Sequence, residues 1–259
     1  MALVFISIGL SDERDMSIRA LGAARSCDKL FIELHTSRLN TDKGKLGQFI
    51  GKDITVLSRQ DLEENHQKIL NEARSKSIGL LIGGDAFVST SHVPLMTEAK
   101  KQGIEVKVIH GSSISSAVCE AGLHLQKFGQ AITIPFPDRT KGKVPVSVYD
   151  VVLENRKRGL HTLCLLDMIA EEGRFMKVGE ALSILMDLEK KTKKRAMNRR
   201  TEVAVFSRIG SDSQKIVYGE AEMLAKLDFG EPLHCIAVLG KLHFSEKECL
   251  ENLRLTDDG

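Results

Sequence analysis

The chain has 259 residues, 42% hydrophobic and 28% charged, enough apolar material for one large domain or two of common size. A net charge of +2 offers no global field for nucleic acid or an anionic membrane, and the absence of Trp, with only 2 Tyr, leaves little to stack on bases. The 5 cysteines (Cys27, Cys119, Cys164, Cys235, Cys249) form no C-x-x-C pair, which points away from zinc or disulfide frameworks and towards a reducing, cytoplasmic compartment.

The opening apolar run lacks a basic flank and soon reaches Ser11-Asp12-Glu13-Arg14, too early for a signal peptide or a membrane span. It reads as a buried strand over residues 3–8. Helical spacing follows over 17–26, then strands over 29–33 and 54–57. Residues 61–73 read as one helix with Leu62, Ile69 and Leu70 on one side. A strand over 78–82 ends in Gly83-Gly84-Asp85, a helix covers 93–102, and a strand over 106–109 closes on His110-Gly111-Ser112-Ser113. Apolar runs that alternate with helices and end in glycine predict a mostly parallel, doubly covered sheet.

The second half has a different texture. Residues 115–123 read as helix and 131–134 as strand, followed by a proline-punctuated loop, 135–145. Helices are expected over 148–158, 178–191 and 220–227, and strands over 160–166, 202–206 and 233–239. Together these give an α/β fold of two domains, 1–110 with a mostly parallel sheet and 111–259 with a mixed one.

Three strand ends can bring backbone close to a ligand: Ile8-Gly9-Leu10, Gly83-Gly84-Asp85 and Gly111-Ser112-Ser113-Ile114. No G-x-G-x-x-G follows the first strand, and no G-x-x-x-x-G-K-S/T occurs, so dinucleotide and P-loop phosphate binding lose support. Backbone groups and one carboxylate suit a cationic, zwitterionic nucleoside such as S-adenosylmethionine. The 8 histidines are scattered, and no metal constellation is expected. The densest charge feature, Lys190-Lys191-Thr192-Lys193-Lys194-Arg195 with Arg199-Arg200, is either a solvated helix end or a docking patch for an acidic protein surface. The loop from Asp138 to Lys143 is a comparable candidate for substrate contact.

The sequence resembles the diphthine synthases, within the tetrapyrrole-methylase-like (class III) methyltransferases. The resemblance is carried by Ile8-Gly9-Leu10 with Asp12 and Asp15, by Glu33 with Thr36-Ser37, and by Gly84-Asp85-x-Phe87 running to Thr90-Ser91-His92. It continues through Val108-Ile109-His110 with Ser113-Ile114, Gly122-Leu123, Lys127-Phe128-Gly129, Asn155, Gly159-Leu160-His161-Thr162-Leu163 and Leu166-Asp167. It ends in Arg208-Ile209-Gly210, Phe229-Gly230-Glu231-Pro232-Leu233-His234 and Gly240-Lys241-Leu242-His243.

The resemblance implies a homodimer with a cofactor cleft between the two domains. It carries S-adenosylmethionine contacts onto Leu10, Asp85, Val88, Ser113, Ile114, Leu166, Ile209 and His234. The implied reaction is repeated methylation of the amino group of a 3-amino-3-carboxypropyl-histidine in translation elongation factor 2, giving diphthine. That amine begins as ammonium and must shed a proton. His92, His110 and Asp167 are titratable groups near the turns, and none is singled out as the base. Ala86 stands where the family usually has proline, and His35 where it often has tyrosine. The compact connection after Asp167 suggests an archaeal source. A tetrapyrrole methylase of the same fold and a non-catalytic nucleotide-binding module are the rival readings.

Overall fold

The computed structural model describes residues 1–255. The chain divides into two compact units, Met1–Ser115 and Ser116–Gly259, of which residues 256–259 lie outside the described residues.

The first unit runs β1 (Ala2–Gly9), α1 (Ile18–Ser26), β2 (Lys29–Glu33), α2 (Lys43–Ile50), β3 (Ile54–Leu57), α3 (Arg59–Glu63), α4 (Gln67–Ala73), β4 (Ile78–Gly83), α5 (Val93–Lys101) and β5 (Glu105–Ile109). Its sheet has the order β3-β2-β4-β1-β5, with every pair parallel. Parallel strands need crossovers, which place helices on both faces. Ala20 and Ala24 of α1 and Leu46 and Ile50 of α2 pack with Val4, Ile6, Leu30 and Ile32 on one face. Ile69 and Leu70 of α4 and Leu95 and Ala99 of α5 pack with Leu3, Phe5, Phe31 and Leu80 on the other. The chain therefore leaves the adjacent strands β1 and β4 towards opposite faces, which opens a crevice at their carboxyl ends.

Two local outcomes differ from the sequence expectation. The single helix expected over 61–73 is two, because the N–H groups of Glu64 and Asn65 both return to the Gln60 carbonyl, 2.9 Å each, and close α3. Helix α2 was not expected, since Gly44 and Gly47 weaken its propensity. Its ends hold it: Asp42 accepts from the Gly44 and Lys45 N–H groups, and Gly51 closes it in the left-handed region.

The second unit is entered through α6 (Ile114–Ala117). It continues with β6 (Ile132–Ile134), α7 (Val146–Lys157), β7 (Thr162–Leu166), β8 (Met168–Ile169), β9 (Arg174–Phe175), α8 (Val178–Thr192), β10 (Glu202–Ser207), β11 (Lys215–Glu220), α9 (Ala221–Leu224), β12 (His234–Val238) and α10 (Phe244–Glu251). Its main sheet has the order β11-β10-β12-β7-β6 and is mixed: β6 and β7 are parallel and the other pairs antiparallel. The helix expected over 115–123 is α6 followed by a 3-10 turn, Val118–Ala121, closed by Gly122. Strand β11 and helix α10 were not expected from the sequence.

Helix α10 is fixed by a charge. Glu246 is fully buried and accepts from the N–H groups of His124 (2.9 Å) and His243 (2.8 Å), from Lys127 and from the His161 ring (3.1 Å). Burial alone would raise its carboxyl, but these donors outweigh burial and hold it at about 2 against an ordinary 4.5. The resulting stabilisation is present above pH 4.5 and is lost as the pH falls towards 2, a contribution of about 3 kcal/mol. In urea unfolding from pH 6 to pH 2, the parent should lose about this much more stability than Glu246→Gln. Parallel pH profiles for the two proteins would remove Glu246 from this role.

Candidate functional site

The carboxyl ends of β1, β4 and β5 meet at the crevice of the first sheet. Gly9 and Gly84 form a reciprocal backbone bridge, with Gly84 N to Gly9 O at 2.6 Å and Gly9 N to Gly84 O at 3.2 Å. Gly9 has φ +108°, and a Cβ there would stand 2.5 Å from the Asp15 Cβ, so only glycine permits this exit from β1. At Gly111 a Cβ would meet the Ser7 Cβ at 2.7 Å, so the exit from β5 is equally dependent on glycine.

Asp85 joins two of these ends. One carboxylate oxygen accepts from Phe87 N (3.0 Å); the other accepts from His110 Nδ1 (2.8 Å) and Gly111 N (3.1 Å). Burial of Asp85 would raise its carboxyl, but the Phe87, His110 and Gly111 donors prevail and hold it below the ordinary range. It is an anion at neutral pH. Leu10, Val88 and Ile114 lie half-buried around this edge, and Ser113 is buried. Five of the expected cofactor residues are thus gathered within the first unit.

The loop after β4 is pinned at the Ala86 peptide. Its N–H donates to Ser7 Oγ at 3.0 Å, a bond that the proline of the family pattern could not make. Its carbonyl accepts from Thr90 Oγ1 (2.7 Å) and from His92 Nδ1 (3.0 Å), which must carry the proton because a carbonyl only accepts. Behind His92 lies the buried Glu33, which accepts from the N–H groups of His35 and Thr36, 3.1 Å each, and from the Thr36 hydroxyl. The His35 ring stands 3.0 Å from the same carboxylate, and His92 Nε2 3.8 Å from it. Burial pushes the His92 imidazole down, partly offset by Glu33. Sequence reasoning noted Glu33 and His92 separately; only the fold joins them.

The other three expected residues share one edge of the second sheet. Strand β12 is antiparallel to both β7 and β10, so its first residue lies between their carboxyl ends. His234 begins β12 directly opposite Ser207, Leu166 ends β7, and Ile209 follows β10. Ser207 was missed in the sequence. Among the described residues its buried hydroxyl and His234 Nδ1 both lack a hydrogen-bond partner, on side chains that direct antiparallel pairing puts on one face. Burial pushes the His234 imidazole down, with the Gly230 carbonyl, 3.2 Å from Nε2, opposing.

Asp167 anchors the adjoining loop, accepting from Phe136 N (2.9 Å), Arg139 (2.7 Å) and Met168 N (3.0 Å). In the loop from Asp138 to Lys143, Asp138 pairs with Arg174 through two bonds of 2.7 and 2.9 Å. The basic run is partly neutralised: Lys190 pairs with Asp187 at 2.9 Å, Lys194 with Asp150, and Arg199 with Glu222 at 3.4 Å. These pairs favour a solvated helix end. Among the described residues no group of three or more His, Cys, Asp and Glu could hold a metal ion, and no helix is long and apolar enough to cross a membrane.

Residues 2–225 match the tetrapyrrole (corrin/porphyrin) methylases. A diphthine synthase of Methanocaldococcus jannaschii is 45% identical over 254 residues, 97% of this chain and 98% of that protein. A diphthine synthase of Methanococcus maripaludis is 42% identical over 252 residues, with 97% and 98% covered. A crystal structure of a diphthine synthase superposes with TM-score 0.87 at 34% identity, covering 98% of this chain and 96% of that one. A chain from Entamoeba histolytica described under the same enzyme name gives TM-score 0.89 at 33% identity, covering 98% and 99%. By its matched length, its fold and its full-length relatives, the chain belongs to the tetrapyrrole methylase family of methyltransferases, on the branch of the diphthine synthases.

Proposed function

We propose that the chain transfers methyl groups from S-adenosylmethionine, repeatedly, to the amino group of the 3-amino-3-carboxypropyl-histidine of translation elongation factor 2, giving diphthine. The observation that carries this reading is the anionic Asp85 at the crevice where three glycine-bearing strand ends converge, in a chain similar over its full length to diphthine synthases. A bound donor would supply a methyl group on a sulfonium. The residues present fit it: Asp85 offers a carboxylate and a turn of backbone groups, Leu10, Val88 and Ile114 offer apolar walls, and Ser113 offers a hydroxyl. Leu166, Ile209 and His234 are proposed as the contacts from the second unit. The tetrapyrrole-acceptor reading shares the donor residues, and the full-length relatives named diphthine synthase weigh against it.

Transfer to an amine is an in-line displacement, which alignment and loss of solvent can accelerate without a metal or a covalent enzyme intermediate. We also propose a homodimer in the cytoplasm of an archaeon. Free cysteines at all five positions fit a reducing compartment, and methanogen relatives fit the source.

Calorimetry in the presence of a chelator should show binding of S-adenosylmethionine and of its demethylated product. Asp85→Ala should weaken that binding by about 1.5–3 kcal/mol, the usual loss for hydrogen bonds to a charged group. Equal affinity in the variant would remove Asp85 from the donor site. With labelled donor, elongation factor carrying the carboxypropyl arm should accept methyl groups and unmodified factor none, because without the arm no primary amine exists at that position. Labelling of a tetrapyrrole instead would overturn the choice of acceptor. Light scattering at micromolar concentration should report twice the chain mass, and a monomer would refute the dimer.

A further inference from the structure

We propose that His110 is the catalytic base that takes the proton from the acceptor ammonium before methyl transfer. The inference rests on the reading above, since it requires an amine as acceptor.

An ammonium nitrogen has no lone pair, so a proton must leave before each transfer. The structure separates the three titratable groups that the sequence picked out beside the turns. His92 is buried, its Nδ1 committed to the Ala86 carbonyl, with Glu33 behind it. Asp167 is buried and holds three donors, Phe136 N, Met168 N and Arg139. Only His110 presents its ring to the outside: the side chain is 72% exposed although Nδ1 lies 2.8 Å from Asp85.

That contact fixes the tautomer. Asp85 is an acceptor, so Nδ1 carries the hydrogen, and the neutral ring leaves the lone pair on Nε2. The same carboxylate also accepts from Gly111 N, which holds His110 at the end of β5, three and four residues before the expected donor contacts Ser113 and Ile114. A carboxylate that orients imidazole so that the far nitrogen accepts a proton is a general-base arrangement. Asp85 is the charged group that faces the ring.

The step balances as follows. His110 Nε2 takes one proton from the ammonium, and the freed nitrogen lone pair attacks the sulfonium methyl. The carbon–sulfur bond breaks, its electron pair stays on sulfur, and the thioether product leaves. The imidazolium returns its proton to water across its exposed edge. The ring is then ready for the next transfer.

The decisive variant is His110→Asn. Its amide nitrogen stands where Nδ1 stood and can still donate to Asp85, but no basic nitrogen remains. It should bind S-adenosylmethionine within about 3-fold of the parent, while kcat for the armed elongation factor falls by about 100-fold or more. His110→Ala should show a similar loss in kcat, restored in part by added imidazole. Near-parental kcat in His110→Asn overturns the proposal and leaves His110 as a prop for Asp85. Loss of donor binding in His110→Asn also overturns it, because the role would then be positioning. A parent that binds no S-adenosylmethionine overturns the donor reading, and a parent that binds it but labels no factor overturns the acceptor. Either outcome takes the base proposal with it.

Discussion

The carboxylate of Asp85 is the constraint around which the first unit's ligand edge is arranged. Strands β1 and β4 end side by side, and their connections depart over opposite faces. Asp85 reaches past the end of β1, accepting from Phe87 N on its own loop and from Gly111 N and His110 at the end of β5. The Gly9–Gly84 bridge adds the end of β1. Three chain segments that share no sequence neighbourhood therefore form one edge.

The molecule uses buried acids in this way repeatedly. Glu33 collects the N–H groups of the turn after β2, Asp167 those that follow β6 and β7, and Glu246 those that start α10 and the turn at His124. A buried carboxylate is costly unless several donors meet it, and backbone N–H groups at irregular turns are donors in need of acceptors. Each arrangement solves both problems at once. The consequence for chemistry is that most acids near the expected site are already saturated, which leaves an exposed imidazole held by one of them as the group able to move a proton.

The departures from the family pattern have local explanations in the same terms. Ala86 gives up the restricted backbone of proline but keeps an N–H, which Ser7 accepts, while its carbonyl takes two further donors. Hydrogen bonds thus do at this loop what a ring would otherwise do. His35 contributes its backbone N–H to Glu33 and lays its ring against the same acid, so a histidine is accommodated in buried space beside a charge that attracts its N–H.

The sequence by itself determined the alternation of strands and helices in the first unit, because strands buried on both faces must be continuously apolar and their ends must turn. Residues 3–8 and 78–82 carry that signature most fully, while 54–57 forms a sheet edge with Thr55 and Val56 exposed. It also marked Gly9 and Gly111, where a side chain would collide with its neighbours, and Gly84, whose φ of +70° favours glycine. Helix α2, strand β11 and helix α10 escaped, being held by end caps, a strand partner and a buried acid 122 residues away from the His124 N–H it accepts. The chain divides after Ser115, with Gly111 tied to Asp85 in the first unit. Tertiary structure alone decided which of several similar groups are free to act. Asp85, Asp167, His92 and His110 look alike as titratable residues at turns, but Asp85 and His110 pair across 25 residues and Asp167 finds partners 28 and 31 residues away, pairings chosen by strand order and register. Those long-range pairings have no periodic trace in a sequence, which is why the chemistry of the site became readable only once the sheets had brought the strand ends together.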